Sequence, residues 1–403
     1  MTTRAAAVRD GEKETKMQGG SILIVGGGIG GLTTALALLQ HGFDVDVFEA
    51  APAFANVGAG VTLAPNAMRG FAHLGVADAI GAQSMEPVRQ AVRHWEDGRV
   101  LLTLERGNRM REEYGAPYYY THRADLHAIL VDAVEHAGGR IHLGAPVQQV
   151  SAEDDRAELV TADGRRFTGD LLIGADGVKS VVRRLLDTAE PHFTGHVAVR
   201  AVVPVDDELR PFVETPGNFI GPGRIAVFYP LRGGSLLNLV FFSRESGWNE
   251  EGWTIPATRA ELQKTFAGWC DPVQTMIAHA DGTQLFKWAI NARAPLKSWS
   301  VGGRITLLGD AAHAMTPFLG QGASSAIEDG VVLARALSDS ATVAEALTRY
   351  EAARIDRATM IQSESNQNAD RLQGDDAELF GMKKLRNEET LGLFAYDCGT
   401  VPV

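Results

Sequence analysis

The chain opens its periodic part with a short apolar run, Ser21 to Val25 (SILIV), of the length and texture of a buried parallel strand. A glycine cluster follows, then an apolar helical stretch from Leu32 to Leu39 that Gln40-His41-Gly42 terminates, with the glycine at the left-handed position after the helix. Asp44 to Phe48 alternates polar and apolar residues and reads as a second strand. Two further apolar strands are predicted at 170–174 and 304–308, and a helix over 323–337 whose apolar face is Ile327, Val331, Ala334 and Leu337. The texture changes over 190–290. Short alternating runs at Val197 to Val203, Gly223 to Pro230 and Ser235 to Phe242 predict an antiparallel sheet. Residues 86–114 add a hairpin to it, from Val92–Trp95 and Val100–Leu104. Residues 341–373 predict one long, polar-faced helix with Leu347, Tyr350 and Ile361 in its buried stripe.

These patterns predict an α/β protein: a discontinuous doubly wound domain from 18–85, 115–185 and 295–375, a β-sheet domain from 86–114 and 190–290, a flexible tail at 1–17 and an extension at 376–403. With 403 residues, 45% of them hydrophobic and 22% charged, the chain is globular and long enough for two domains. Its 38 Lys and Arg against 50 Asp and Glu give a net charge of −12, which argues against nucleic acid or an anionic membrane as partner. Two cysteines, Cys270 and Cys398, make neither a disulfide framework nor a cysteine-rich metal site, and no metal is expected. The first seventeen residues hold no apolar stretch of signal-peptide length, so a cytoplasmic location is expected.

The glycine cluster carries the first chemistry. Gly26-x-Gly28-x-x-Gly31, lying between a strand and a helix, is a dinucleotide fingerprint. Gly26 permits the tight turn, Gly28 the approach of a pyrophosphate and Gly31 close strand–helix packing. Gly30 lies in the same loop. The helix N-terminus offers free amides and a partial positive charge. Glu49, eighteen residues after Gly31 and followed by Ala50, is placed to accept hydrogen bonds from the adenosine ribose, and its charge would repel a 2′-phosphate there. This fingerprint alone leaves FAD and NAD both open.

Two later segments separate them. Asp170 to Gly177 (DLLIGADG) is a strand ending in Asp-Gly, and Arg304 to Asp310 (RITLLGD) is another ending in Gly-Asp, followed by Ala311-Ala312-His313-Ala314-Met315-Thr316-Pro317 and Gly320-Gln321-Gly322. Taken singly, Asp176 and Asp310 read as turn residues. In this order, with Thr121-His122-Arg123-Ala124-Asp125-Leu126, they resemble the single-component flavoprotein aromatic hydroxylases, the para-hydroxybenzoate hydroxylase superfamily. Within it the resemblance is to the branch acting on salicylate, 3-hydroxybenzoate and 6-hydroxynicotinate, and it runs from about Ser21 to Tyr350.

That resemblance implies a Rossmann-like FAD-binding domain, with the antiparallel sheet inserted as a substrate platform and a C-terminal helical extension. It implies FAD as cofactor, NADH or NADPH as transient co-substrate, and O₂ added to the reduced flavin as a C(4a)-hydroperoxide that hydroxylates a small phenolic or hydroxypyridine ring. It also implies that Asp310 meets the ribityl chain, that Arg123 contacts the ribityl–pyrophosphate region, that Asp176 serves both nucleotides and that Val147 packs on the adenine side. Independently, a helix beginning at Gly322 and Ala323 would direct amides at the pyrimidine edge of the flavin, which becomes anionic on reduction.

On the substrate side the chain departs from its relatives. Ile225 stands where the salicylate and 3-hydroxybenzoate enzymes carry a histidine, and Gly58-Ala59-Gly60-Val61-Thr62 lacks the histidine of the 6-hydroxynicotinate enzyme. Tyr229 is the remaining candidate for a proton donor or relay, His313 a second one, Arg200 a cation for a substrate carboxylate or the reduced flavin, and Pro317 a shaper of the loop over the flavin. Three other readings stay open. One is an epoxidase or urate-type hydroxylase, another a non-catalytic flavin-binding protein, and the third a halogenase, which Trp253-Thr254-Ile255-Pro256 matches only in its second half. A homodimer is also left open.

Overall fold

The computed structural model describes residues 19–54, 59–153, 155–248, 252, 255–280, 285–378 and 386–403. The N-terminal tail, Gly58 of the Gly-Ala-Gly segment and Trp253-Thr254 lie outside the described residues.

A five-stranded parallel sheet forms the base, in the order Ile305–Leu307, Leu171–Gly174, Ser21–Val25, Asp44–Phe48 and Arg140–His142. Its strands are apolar on both faces because helices cover both: Ile22, Leu23, Ile24, Leu172 and Ile173 are essentially inaccessible. The first helix, Ile29–Gln40, ends at His41 with Gly42 at φ 82°. It packs beside Gly322–Ser338, which is buried nearly all round. The long helix runs Val343–Leu372, capped by Thr342, whose hydroxyl accepts the Glu345 amide. Leu347, Tyr350 and Ile361 are buried on it, and the Tyr350 hydroxyl donates to the Leu307 carbonyl at 3.0 Å, tying this helix to the sheet.

The second layer is an eight-stranded sheet in the order Ile255–Pro256, Phe286–Ala292, His192–Pro204, Leu236–Arg244, Arg224–Leu231, Gly217–Gly221, Arg89–His94, Val100–Glu105. All pairings are antiparallel except one: Gly217–Gly221 runs parallel to Arg89–His94. The hairpin at 86–114 comes from a distant part of the chain, so it joins with a direction that alternation of residues does not reveal. Two three-stranded sheets complete the described β-structure. One is Val147–Glu153 with Arg156–Thr161 and Arg166–Gly169; the other is Gly60–Leu63 with Tyr119–His122 and Ser84–Met85. Residues 386–403 follow as turns, with Leu393 and Phe394 fully buried, the latter edge-on to Tyr114.

Candidate active site

A cavity of about 610 Å³ lies between the parallel sheet and the eight-stranded sheet. That is the size range of small-molecule and cofactor sites. The ends of three parallel strands supply its floor. Gly26 holds φ 107°, where an added Cβ would stand 2.4 Å from the Ala175 carbonyl oxygen. A Cβ on Gly31 would come within 2.0 Å of the Gly26 carbonyl oxygen. The turn is therefore closed over backbone and open only to glycine. No side chain caps the helix at Gly28, so its first-turn amides remain available at the cavity wall beside Gly28 and Gly30.

Several residues singled out in the sequence line this one space: Gly28, Gly30, Arg123, Arg200, Tyr229, Asp310, Pro317, Gly322 and Ala323. Asp310 is exposed, but to the cavity. The surrounding protein pushes its carboxyl upward, with His313 and Arg123 opposing. Helix Gly322–Ser338 begins without a side-chain cap, and Pro317–Leu319 with Gly320 (φ 62°) forms the tight turn before it. Arg200 stacks over the Trp288 ring at 4.8 Å, and burial pulls its pKa down. Tyr229 lies with its ring 4.6 Å from Tyr120, the planes 15° apart, and burial raises its phenol well above the usual range.

Other candidates stand outside the cavity lining. Glu49 pins the glycine turn: one carboxylate oxygen accepts the Gly27 amide at 2.9 Å and the other the Ala51 amide at 2.8 Å. Ala50 is exposed beside it, and Val147 pairs with Thr161 in the first small sheet. Asp176 turns its carboxylate away from the cavity, onto the Ser180 hydroxyl (2.6 Å) and the Val181 amide (2.7 Å). This is the turn role that an Asp-Gly pair has on its own. The structure does not bring His313 to the cavity. Its Nε2 meets Asp329 Oδ2 at 2.6 Å in the core, against Trp299. Asp310 and Ala314 to Thr316 line the cavity while the histidine between them faces inward.

Sequence reasoning missed one wall. Gln90, Arg106, Tyr118, Tyr120 and Trp288 line the cavity, and so do Arg386, Asn387 and Glu388 from the C-terminal segment. The triplet Tyr118-Tyr119-Tyr120 held a signal: with period-two alternation its first and third rings share a face. Nothing in the spacing marks Arg106 or Glu388.

Residues 20–365 match the model of the FAD binding domain family. The chain belongs to that family. It is 37% identical over 349 residues to 3-amino-4-hydroxybenzoate 2-monooxygenase PtnB3 of Streptomyces platensis, covering 86% of this chain and 87% of the relative. It is 38% identical over 359 residues to 3-hydroxybenzoate 6-hydroxylase 1 of Aquipseudomonas alcaligenes, covering 87% and 89%. Klebsiella pneumoniae HpxO, solved with FAD and uric acid, superposes with a TM-score of 0.82 at 29% identity, covering 94% of this chain and 95% of that one. The protein is an FAD-dependent monooxygenase of the aromatic hydroxylase type, and NAD(P)H is the co-substrate typical of its family. The glycine cradle, the uncapped helix starts and the cavity-facing Asp310 suit the flavin nucleotide.

Proposed function

We propose that this monooxygenase hydroxylates a small aromatic ring already bearing an oxygen substituent, either a phenol or a hydroxypyridine. The observation that carries the reading is the shared cavity. Candidate flavin-holding residues and a strand tyrosine face the same space, and its apolar flank of Leu102, Ile225, Val227 and Phe228 accepts a flat ring. Bound FAD would carry electrons from NAD(P)H to O₂ and so activate it, one oxygen atom of O₂ passing to the ring and the other leaving as water.

The chain's own groups bind, orient and exclude water. Amides at the start of helix Ile29–Gln40 take the pyrophosphate, with Arg123 adding positive charge. Asp310 accepts from the ribityl hydroxyls, and Glu49 keeps spare lone pairs for the ribose beside Ala50 and Val147. Asp176 shapes the strand-end turn that the two nucleotides approach. Amides of Gly322 and Ala323 face the edge that gains negative charge on reduction, where Arg200 adds a second favourable field. Pro317 fixes the loop between them.

Tyr229 keeps its proton because burial disfavours the phenolate, so it serves as a donor to the substrate oxygen rather than as the base. Tyr229→Phe retains stoichiometric FAD and NADH oxidation, while hydroxylated product per NADH falls at least about tenfold, the worth of one hydrogen bond in a dry site. Unchanged product yield, measured by mass spectrometry with ¹⁸O₂, removes Tyr229 from the reaction. Both ring hydroxylation and epoxidation add one labelled oxygen, and NMR of the isolated product separates the two. We further infer that the enzyme acts in the cytoplasm on free substrate, in keeping with its acidity.

A further inference from the structure

The wall unread in the sequence contains an unusual cation. The Arg106 side chain is fully buried, yet it lines the cavity. Its Nε donates to Gln90 Oε1 at 2.9 Å, its Nη1 pairs with Glu389, and its Nη2 has no hydrogen-bond partner among the described residues. Gln90 in turn donates to the Tyr120 hydroxyl, and the guanidinium lies over the Tyr118 ring at 4.9 Å. A buried donor without an acceptor is costly, and because Arg106 also lines the cavity its open N–H is available to an acceptor on a bound ligand. Glu388 lines the cavity beside it, close enough for the two charges to be felt by each other.

The charge balance restricts what that acceptor is. Arg106 already has Glu389 as counter-ion, and Arg109, which also reaches Glu389 at 2.8 Å, is committed to Glu113. Arg386, on the same wall, is turned to Glu364. Arg371 shares Glu364, so with Glu388 added the four arginines of this wall face four carboxylates, and a ligand carboxylate set against Arg106 would meet that of Glu388. A neutral oxygen beside an N–H meets a matched pair instead: Arg106 Nη2 donates to the oxygen and Glu388 accepts from the nitrogen.

We propose that Arg106 and Glu388 form a specificity pair that reads a lactam edge, the adjacent C=O and N–H of a pyridone-type ring, on the substrate. This rests on the hydroxylase reading above and names the ring class within it. Glu388 stands beyond the residues that match the family model, so the C-terminal segment supplies half of the recognition.

The test uses the yellow holoenzyme and two neutral probes of equal size, 2-pyridone and phenol, titrated by the change in flavin absorbance. The expected Kd for 2-pyridone is at least tenfold below that for phenol. Glu388→Leu narrows the ratio to within about threefold by weakening 2-pyridone alone, and Glu388→Gln, which keeps an oxygen acceptor, falls between. Equal affinities in the unmodified enzyme, or a ratio that Glu388→Leu leaves intact, overturn the pair. FAD content and reduction by NAD(P)H are measured on the same samples. If both are normal and the preference is absent, this inference alone fails; a protein that takes up no FAD brings down the hydroxylase reading instead.

Discussion

Gly28→Val folds and leaves gel filtration colourless. The position has φ −76°, and apart from its chain neighbours no atom lies within 4 Å of where its Cβ would stand, so a side chain there starts into open space. Losing glycine at a helix start costs a few tenths to about 1 kcal/mol, so the apoprotein's thermal midpoint moves only slightly. The space that the isopropyl group enters is where, on the proposed reading, the pyrophosphate would approach the first-turn amides. Displacing it by even 1 Å forfeits two or more hydrogen bonds to charged oxygens, at about 1.5–3 kcal/mol each. FAD affinity therefore falls at least about 100-fold. Gly31→Val behaves differently: its Cβ would collide with the Gly26 carbonyl oxygen, and Gly26 is fixed by the hydrogen bond its N–H donates to the Phe48 carbonyl at 2.8 Å. That variant loses stability as well as cofactor. Measured as FAD per chain alongside apoprotein melting, the contrast distinguishes a ligand-facing glycine from a packing one. Gly28→Val that stays yellow at the usual stoichiometry places the pyrophosphate elsewhere.

The same contrast shows what the sequence made legible. Residues whose role is to shape backbone announce themselves, because only glycine fits and because strand, turn and helix must follow in that order. The parallel strands, the helices at 323–337 and 341–373 and the alternating sheet runs were readable for that reason. Side-chain direction was less so. Asp176 and Asp310 end similar strands, yet one carboxylate folds back on its own turn and the other faces the cavity, a difference set by the next few residues in three dimensions. His313 sits three residues from Asp310, yet its ring is held in the core by Asp329 and Trp299, partners that the local sequence does not announce. Arg106 and Glu388 were invisible because the residues that give them meaning are nearly three hundred positions apart. The one parallel join in the large sheet was hidden for the same reason.

Removing the Arg354 cation is expected to be the costliest single change to the fold. Arg354 is fully buried between two fully buried acids, with Nη1 2.7 Å from Glu328 Oε2 and Nε 2.8 Å from Asp329 Oδ1. It joins helix Val343–Leu372 to Gly322–Ser338, the helix whose first turn faces the cavity. In Arg354→Met, Glu328 keeps its two-point pair with Arg357 and its bond from Asn66, while Asp329 keeps His313 and the Gly309 amide but loses its guanidinium. A broken buried pair costs about 3–5 kcal/mol, which for a chain of this size lowers the melting temperature by about 5 °C. Burial resists ionisation of Asp329, but His313 and Arg354 outweigh it and hold the carboxyl at about 2. Because this is below the unfolded value of about 3.9, its contribution is complete above pH 4 and disappears as pH falls towards 2, an acid-labile share of about 2 kcal/mol. In Arg354→Met that share shrinks, since one of the two partners holding the carboxyl down is gone. Adding Asp329→Asn to Arg354→Met recovers part of the loss by removing a buried, under-compensated charge from the core. A double variant as unstable as the sum of the singles, or an unchanged difference between pH 5 and pH 2.5 in urea unfolding, shows that the three groups do not act as one unit.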